Sequence, residues 1–389
     1  MENYVYKCSE CGSTYEAGNT ELKFVYLCPV CGSAGKNEPL HGVLTVEYDY
    51  ETLKRKLKRE DFLNLQTGKF WIYPQLWPLE FSSFHNSLLA RLALPQNQLL
   101  EFELNGKTVL VQDETRNPTL SYKDRATSLV ALKAMELGIT EIAAASTGNA
   151  GSSLAGICAR LGLKSIIYVP QNIPEAKRIQ IEAYGAKLEI VNGDYDSAFD
   201  KCLADSVKNN WYNRNTAYNP LTIEGKKSAA FDIFISTQGK LPGHIFVPVG
   251  DGVIISGIYK GFSELLKLGW IDKLPKLIAV QSEQSDAVVR YLETGKFSYK
   301  PANTRADSIS AGAPRNLYMA ARAVKDSFGS GITVSDEKIL NAQKEFISAT
   351  GILCEPSSAA VYAAFKKNPL ENSLLLITGN GLKDAEALK

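Results

Sequence analysis

From Lys123 to about residue 335 the chain alternates short unbroken apolar runs with segments of helical periodicity, and this alternation restricts the fold more than any other feature. Strands are predicted at Thr108–Gln112, Glu141–Ala145, Ser165–Pro170, Lys187–Val191, His244–Val249 and Leu277–Val280, with another at Leu374–Ile377. Helices are predicted over Asp124–Met135, Ser152–Leu161, Pro174–Tyr184 and 194–209, and from about Ile254. Strands that lack polar alternation must be covered on both faces. That requires a parallel sheet between helices, an α/β fold. Ligands of such sheets bind beyond the carboxyl ends of the strands. Tyr50–Leu65 reads as one helix, with Leu53, Leu57 and Phe62 opposite a charged face. Residues 70–100 carry Trp71, Tyr73, Trp77, Phe81 and Phe84 between prolines, an irregular segment expected to pack on the main body.

The loops after these strands carry the chemistry. Asn117-Pro118 turns into a helix that begins near Lys123. A lysine that starts a helix is ordinarily a solvated surface charge. Buried there, it faces the positive end of the helix dipole and loses water. Both effects favour the neutral amine, a nucleophile able to form an imine with a carbonyl. Ser146-Thr147-Gly148-Asn149-Ala150-Gly151 opens the next helix and suits a carboxylate or phosphate. Val249-Gly250-Asp251-Gly252-Val253 is again strand to helix and suits a phosphate. Thr378-Gly379-Asn380-Gly381-Leu382-Lys383-Asp384 follows the last strand. Any one of these alone reads as a tight turn. Three in one open sheet, beside a lysine suited to imine formation, point to a small phosphorylated ligand. No loop carries G-x-G-x-x-G with an acidic residue about 20 positions on, and there is no P-loop and no Gly-x-Ser-x-Gly elbow. His41, His85 and His244 are scattered singly, which leaves metal chemistry outside the cysteines poorly supported.

Residues 1–45 read as a separate unit. Cys8-Ser9-Glu10-Cys11-Gly12 and Cys28-Pro29-Val30-Cys31-Gly32 are two C-x-x-C-G knuckles with the spacing of a zinc ribbon. Four thiolates suit tetrahedral zinc, and a closed site of this kind is structural. A pair of redox disulfides is the competing reading, with no thioredoxin-like context behind it. Lys7, Lys23 and Lys36 are too few for a nucleic-acid patch, and the formal net charge is only +1. No run is apolar enough to span a bilayer, and the opening residues do not resemble a leader. Free thiols beside a four-cysteine site fit a reducing compartment, so a cytoplasmic protein with no membrane or nucleic-acid partner is expected.

Asn-Pro-x-x-Ser-Tyr-Lys-Asp-Arg at 117–125 resembles the lysine motif of the threonine-synthase branch of the tryptophan-synthase-β-like (fold type II) pyridoxal-phosphate enzymes. Further motifs recur in that family's order. They are Ser-Thr-Gly-Asn-Ala-Gly at 146–151, Asn-Pro-x-x-Ile-Glu-Gly-Lys-Lys-Ser at 219–228 and Gly-Asp-Gly at 250–252. Cys-Glu-Pro-Ser-Ser-Ala-Ala at 354–360 and Thr-Gly-Asn-Gly-Leu-Lys-Asp at 378–384 complete the set. The resemblance implies two open, twisted, mostly parallel sheets flanked by helices, added to a zinc ribbon over 1–45. It implies a large cofactor-binding domain over 46–125 and 221–389, a small mobile domain over 126–220, and a homodimer. Lys123 is implied as the imine-forming and catalytic lysine. Asn149 would lie beside the cofactor's 3-oxygen, Val249, Gly250, Asp251, Gly252 and Val253 on its phosphate, and Thr378 on its pyridine nitrogen. A neutral hydroxyl there leaves the ring unprotonated, which favours eliminations. Ser146, Thr147, Gly148, Asn149 and Ala150 are implied to hold the substrate, and Cys8, Cys11, Cys28 and Cys31 a structural zinc.

The implied activity is that of a lyase or synthase acting on an amino acid with a leaving group. The foremost case converts O-phosphohomoserine and water to threonine and phosphate. The alternative is β-replacement or β-elimination on O-phosphoserine, serine or threonine, as in cysteate synthases and dehydratases. Several positions depart from the pattern: Thr222 stands where the family places an arginine that clamps the substrate phosphate, Thr216 and Ala217 replace a serine and an asparagine, and Asn380 replaces a histidine. The cofactor half therefore looks intact and the substrate-phosphate half altered, with hydroxyls and Arg315 in 306–316 offered as replacements. A ribbon-bearing binding protein without catalysis is the reading from another class, and Lys123, Asn149 and Thr378 argue against it.

Overall fold

The computed structural model describes residues 4–388 other than 147, 172, 174 and 194. Strands β1 (Tyr4–Cys8), β2 (Thr14–Glu16) and β3 (Leu44–Tyr48) form an antiparallel sheet in the order β2-β1-β3. The two knuckles hang from its end. The Sγ atoms of Cys8, Cys11, Cys28 and Cys31 all lie within 4.8 Å of one another.

Strands β4 (Leu99–Leu104), β5 (Lys107–Asp113), β6 (Glu141–Ala145), β7 (Lys164–Pro170), β8 (Lys187–Val191) and β9 (Tyr212–Asn213) follow in the chain. After them come β10 (His244–Pro248), β11 (Lys276–Ser282), β12 (Ser330–Val334) and β13 (Ser373–Ile377). One sheet has the order β12-β11-β10-β13-β5-β4 and the other β8-β7-β6-β9. Every pairing in them is parallel except that of the edge strand β4 with β5. The smaller sheet falls within 126–220, and the larger within 46–125 and 221–389. The helix Lys123–Glu136 crosses the 125/126 line and buries Ala126, Leu129, Val130, Ala131 and Leu132. It packs on Asn149–Leu161 on one side and Leu221–Glu224 on the other, so residue 123 sits where the two sheets meet.

Two predicted features change. Tyr50–Leu65 is not one helix but two, Tyr50–Lys56 and Arg59–Leu63, because Leu57 takes an extended backbone (φ −103°, ψ 139°). The break turns Arg59 toward the Trp270 carbonyl (3.0 Å) and sets Phe62 against Trp270. The helix predicted from Ser152 starts at Asn149 instead, which makes Asn149 its first residue. Strand β4 was not predicted. Asn105 (φ 52°) and Gly106 (φ 71°) form the two-residue turn that joins it to β5, the conformation that an Asn-Gly pair favours in a hairpin. The segment 70–100 forms 3₁₀ turns that bury Leu76, Trp77 and Phe81.

Arg125, two residues into the central helix, is buried and fully engaged. It donates to both oxygens of Glu114 (2.7 and 2.9 Å), to Ser228 (2.9 Å) and to Gln98 (2.7 Å), and pairs with Asp232 (2.7 Å). Breaking a buried ion pair strands the remaining charge in a dry site. Glu114→Ala is expected to lower stability by about 3–5 kcal/mol, read from the denaturant midpoint. A loss below about 1 kcal/mol, the range of an exposed pair, would contradict the anchoring role.

Candidate active site

The loop before Lys123 makes an unusual bend. Leu120 has φ +66°, a left-handed conformation that a branched side chain rarely adopts. The bend is held from outside. Tyr122 N–H donates to Thr378 O (2.8 Å), and Asn380 N–H donates to Leu120 O (3.1 Å). The loop after β13 is thereby stapled to the loop before the central helix, and both open onto a cavity of about 790 Å³. Lys123, the first residue of its helix, lines that cavity, and its amine has no hydrogen bond or ion pair among the described residues. Burial lowers its pKa. Glu355 and Asp251 oppose the shift, and Arg214 and Lys177 reinforce it.

Ser146, Gly148, Asn149 and Ala150 line the same cavity, while Thr147 lies outside the described residues. Gly148 N–H donates to Ser146 Oγ (3.2 Å), and the helix begins at the next residue. The N–H groups of Asn149 and Ala150, at its first turn, have no intrahelical acceptor. Asn149 Nδ2 donates to both oxygens of Glu355 (2.9 and 3.1 Å), and Asn149 Oδ1 is buried without a partner.

Gly250 to Ile255 form the opposite wall. Val249 does not belong to it. Its N–H donates to Val280 O (2.8 Å) and its carbonyl accepts from Gln281 (3.1 Å), so both of its backbone groups are spent and only Gly250 onward faces the cavity. Gly252, at φ +85°, leads into the helix Val253–Lys267, and a Cβ there would lie 2.6 Å from Ala320 Cβ. Thr378 lines the cavity with Oγ1 beside Ser358 Oγ (3.2 Å). A partnerless lysine, an unpaired buried amide oxygen and a helix N-terminus entered through glycine fit pyridoxal phosphate as a group.

Four further residues come to the site that no single motif assigned. Glu355 is the acid of the 354–360 motif, and burial raises its pKa. Lys177 is buried and pairs with Asp307. Lys226 lines the cavity, buried, its Nζ donating only to Thr222 O (3.0 Å). Burial, with Arg214 and Lys123 nearby, drives its pKa well down. Arg214 is buried too, and donates to Thr127 (3.3 Å) and Thr216 (3.3 Å); burial pushes its pKa down to about 10. Neither Lys226 nor Arg214 has a carboxylate partner among the described residues. The 219–228 motif gave Lys226 no role in sequence, and the fold shows it turned toward the cavity.

Thr222 faces its own turn. Its hydroxyl donates to Asn219 O (2.7 Å) and accepts from Ala217 N–H (3.2 Å). Arg315 lines the cavity together with Ser308 and Ser310, and its guanidinium also donates to Gly35 O (3.3 Å) and Glu38 O (3.1 Å) of the ribbon. At the cysteines, Cys8 lies 3.5 Å from Cys31 and Cys11 3.6 Å from Cys28.

Residues 94–379 match the family described as pyridoxal-phosphate dependent enzyme. The chain belongs to that family. The threonine synthase of Methanocaldococcus jannaschii is 35% identical over 393 residues, covering 98% of this chain and 93% of the relative. The threonine synthase of Methanosarcina acetivorans is 32% identical over 396 residues, covering 99% and 93%. Among solved structures, a threonine deaminase from T.th. gives a TM-score of 0.64 at 24% identity, covering 76% of this chain and 96% of that one. Maize serine racemase gives 0.66 at 20%, covering 78% and 93%. These structures share the fold. The chain is thus a fold type II, pyridoxal-phosphate-dependent enzyme of the lyase or synthase kind.

A lysine with a depressed pKa is a stability liability at neutral pH. The unfolded chain holds its proton more tightly than the folded chain, so stability rises with pH until the ordinary lysine range is reached. Cofactor-free Lys123→Met is therefore expected to be more stable than the cofactor-free parent at neutral pH, with the difference shrinking in alkali. Denaturant titrations at the two pH values check this, and a constant difference would refute it.

Proposed function

We propose that this enzyme converts O-phosphohomoserine and water to threonine and phosphate. The observation that carries the reading is the buried, uncompensated pair Lys226 and Arg214 beside the cavity that holds Lys123. Burial without a counter-ion disfavours the charged form of both side chains, and a phosphate dianion would relieve that cost. Lys226 follows Thr222 by four residues and reaches back to the Thr222 carbonyl. The cation missing at 222 thus returns one helical turn later on the same face.

Pyridoxal phosphate, when bound, supplies an electron sink for charge developed on substrate carbon. The residues divide the remaining tasks. The N–H groups of Gly250 to Val253 hold the cofactor phosphate at a helix N-terminus. Ser146, Gly148, Asn149 and Ala150, with Thr147, hold the substrate carboxylate. Thr378 takes the pyridine nitrogen with a neutral hydroxyl steadied by Ser358. The amine of Lys123, its pKa lowered by desolvation, takes a proton from one substrate carbon and returns it to another. Lys226 and Arg214 receive the leaving phosphate. The Lys177–Asp307 pair links 126–220 to the facing wall, and closure of that unit excludes water.

A second reading, β-chemistry on O-phosphoserine, is favoured by one observation: Thr222 does not reach the cavity at all. Separate assays decide between the two. Phosphate release from O-phosphohomoserine with threonine as product supports the first, and turnover of O-phosphoserine alone supports the second. Lys226→Gln is expected to lower kcat/KM for the phosphorylated substrate about ten- to hundredfold, the worth of one hydrogen bond to a charged group. An unchanged value would remove Lys226 from the site.

Cys8, Cys11, Cys28 and Cys31 are proposed to hold structural zinc, since four thiols gathered this closely form a closed tetrahedral donor set. Elemental analysis should return one zinc per chain, and Cys8→Ser should lower the melting temperature. Absence of metal with unchanged melting would overturn the assignment. A cytoplasmic homodimer completes the proposal.

A further inference from the structure

The ribbon is distant from the active-site lysine in sequence, yet it touches the loop at the phosphate end of the cavity. The stretch after the second knuckle lies along Arg315. Arg315 Nη1 donates to Gly35 O (3.3 Å) and Glu38 O (3.1 Å), while Leu40 N–H donates to Arg315 O (3.1 Å). Arg315 N–H in turn donates to the Asp251 carboxylate (3.1 Å), and Asn316 N–H donates to Asp251 O (2.9 Å). Leu40 and Val43 are buried in one cluster with Ala217, Ile223 and Val253, the first residue of the helix that faces the cavity.

Both knuckles fix this stretch. Cys28 N–H donates to Gly42 O (2.8 Å) and Ser9 N–H to Val43 O (3.0 Å). Glu10, inside the first knuckle, accepts from Gly42 N–H (2.7 Å) and bonds the His41 ring (2.9 Å). The His41 ring stacks on Tyr318 at 4.6 Å, three residues past Arg315. A unit of this size has little apolar core, so the order of its loops depends on a cross-link between the knuckles. Without one, residues 35–43 lose their register, Arg315 loses its carbonyl acceptors, and Asp251 loses a fixed donor.

We propose that the metal-loaded ribbon clamps the cofactor-phosphate loop, with Arg315 as the positioning residue that joins Gly35, Glu38 and Leu40 to Asp251. The inference rests on the reading of 250–253 as the phosphate site. Linkage makes the coupling reciprocal: metal tightens cofactor binding, and cofactor slows metal loss.

Equilibrium titrations of the full chain with pyridoxal phosphate and with pyridoxal, followed by tryptophan fluorescence and absorbance, test the clamp. They compare metal-loaded protein with protein stripped by a chelator. Stripping is expected to weaken pyridoxal phosphate binding about tenfold or more, within the usual range of coupling between sites. Pyridoxal, which has no phosphate, should bind as before. Arg315→Ala should show the weakened affinity even when metal-loaded, and stripping it should add little. Equal pyridoxal phosphate affinity with and without metal would overturn the clamp, as would losses from stripping and from Arg315→Ala that simply add. If stripping unfolds the chain, metal-loaded Arg315→Lys decides. It keeps the charge but not the forked donor, and unchanged affinity in it overturns the proposal. Failure of the metal-loaded parent to bind pyridoxal phosphate at all would instead strike the proposed function.

Discussion

The structure depends on holding one amine, half-enclosed in a cavity wall, without giving it a partner. Lys123 is held at a helix start in the cavity wall, beside other cations, where desolvation favours the neutral form. Nothing local makes that placement favourable. The loop bends through a left-handed Leu120, and the bend survives because Thr378 and Asn380 staple it from the far strand. Arg125 then locks the following turn into Glu114 and Asp232. Strain and desolvation at the site are offset by packing and ion pairing a few ångströms behind it.

The buried cations fall into two groups, and the division locates the chemistry. Lys227 is fully enclosed with Glu224 and with Glu264 (2.9 Å), over the ring of Tyr48 (4.5 Å). Lys133 is likewise paired with Glu21 (3.1 Å). These are structural charges. Lys226, the immediate neighbour of Lys227, turns the other way and meets only a carbonyl. Lys226 and Arg214 together place two cationic side chains without carboxylate partners beside a cavity, an arrangement that suits an entering anion. Adjacent lysines in one sequence run therefore have opposite fates, set by which side of a short helical segment faces carboxylates.

Much of the framework was legible in the sequence. Glu141–Ala145 and Lys187–Val191 form strands with the bounds expected from the sequence, and the glycine-rich loops stand at strand ends because parallel sheets place them there. Strand β4 was missed although its Asn105-Gly106 turn is a strong local signal, because its Glu101 and Glu103 alternate with half-buried residues at an exposed edge. The Tyr50–Leu65 periodicity hid a break that only tertiary contacts of Arg59 and Phe62 require. At the site, the lysine motif and the three loops announced themselves as local patterns. Glu355, Lys177, Lys226 and Arg214 were given no role there, since each comes from a different element and its meaning lies in burial and in the partners that the fold supplies or withholds.

The most direct test of the account is to identify which lysine carries the cofactor. Four lysines stand at or near the site, Lys123 and Lys226 in the cavity lining and the buried Lys177 and Lys383 nearby, and reduction of the loaded protein with borohydride followed by peptide mass mapping distinguishes them. The expected result is label on the peptide containing Lys123 alone, since it is unpartnered and stands first in its helix. Label on Lys226, Lys177 or Lys383, or stable binding with no label after reduction, would contradict the assignment of the reactive amine on which the rest is built.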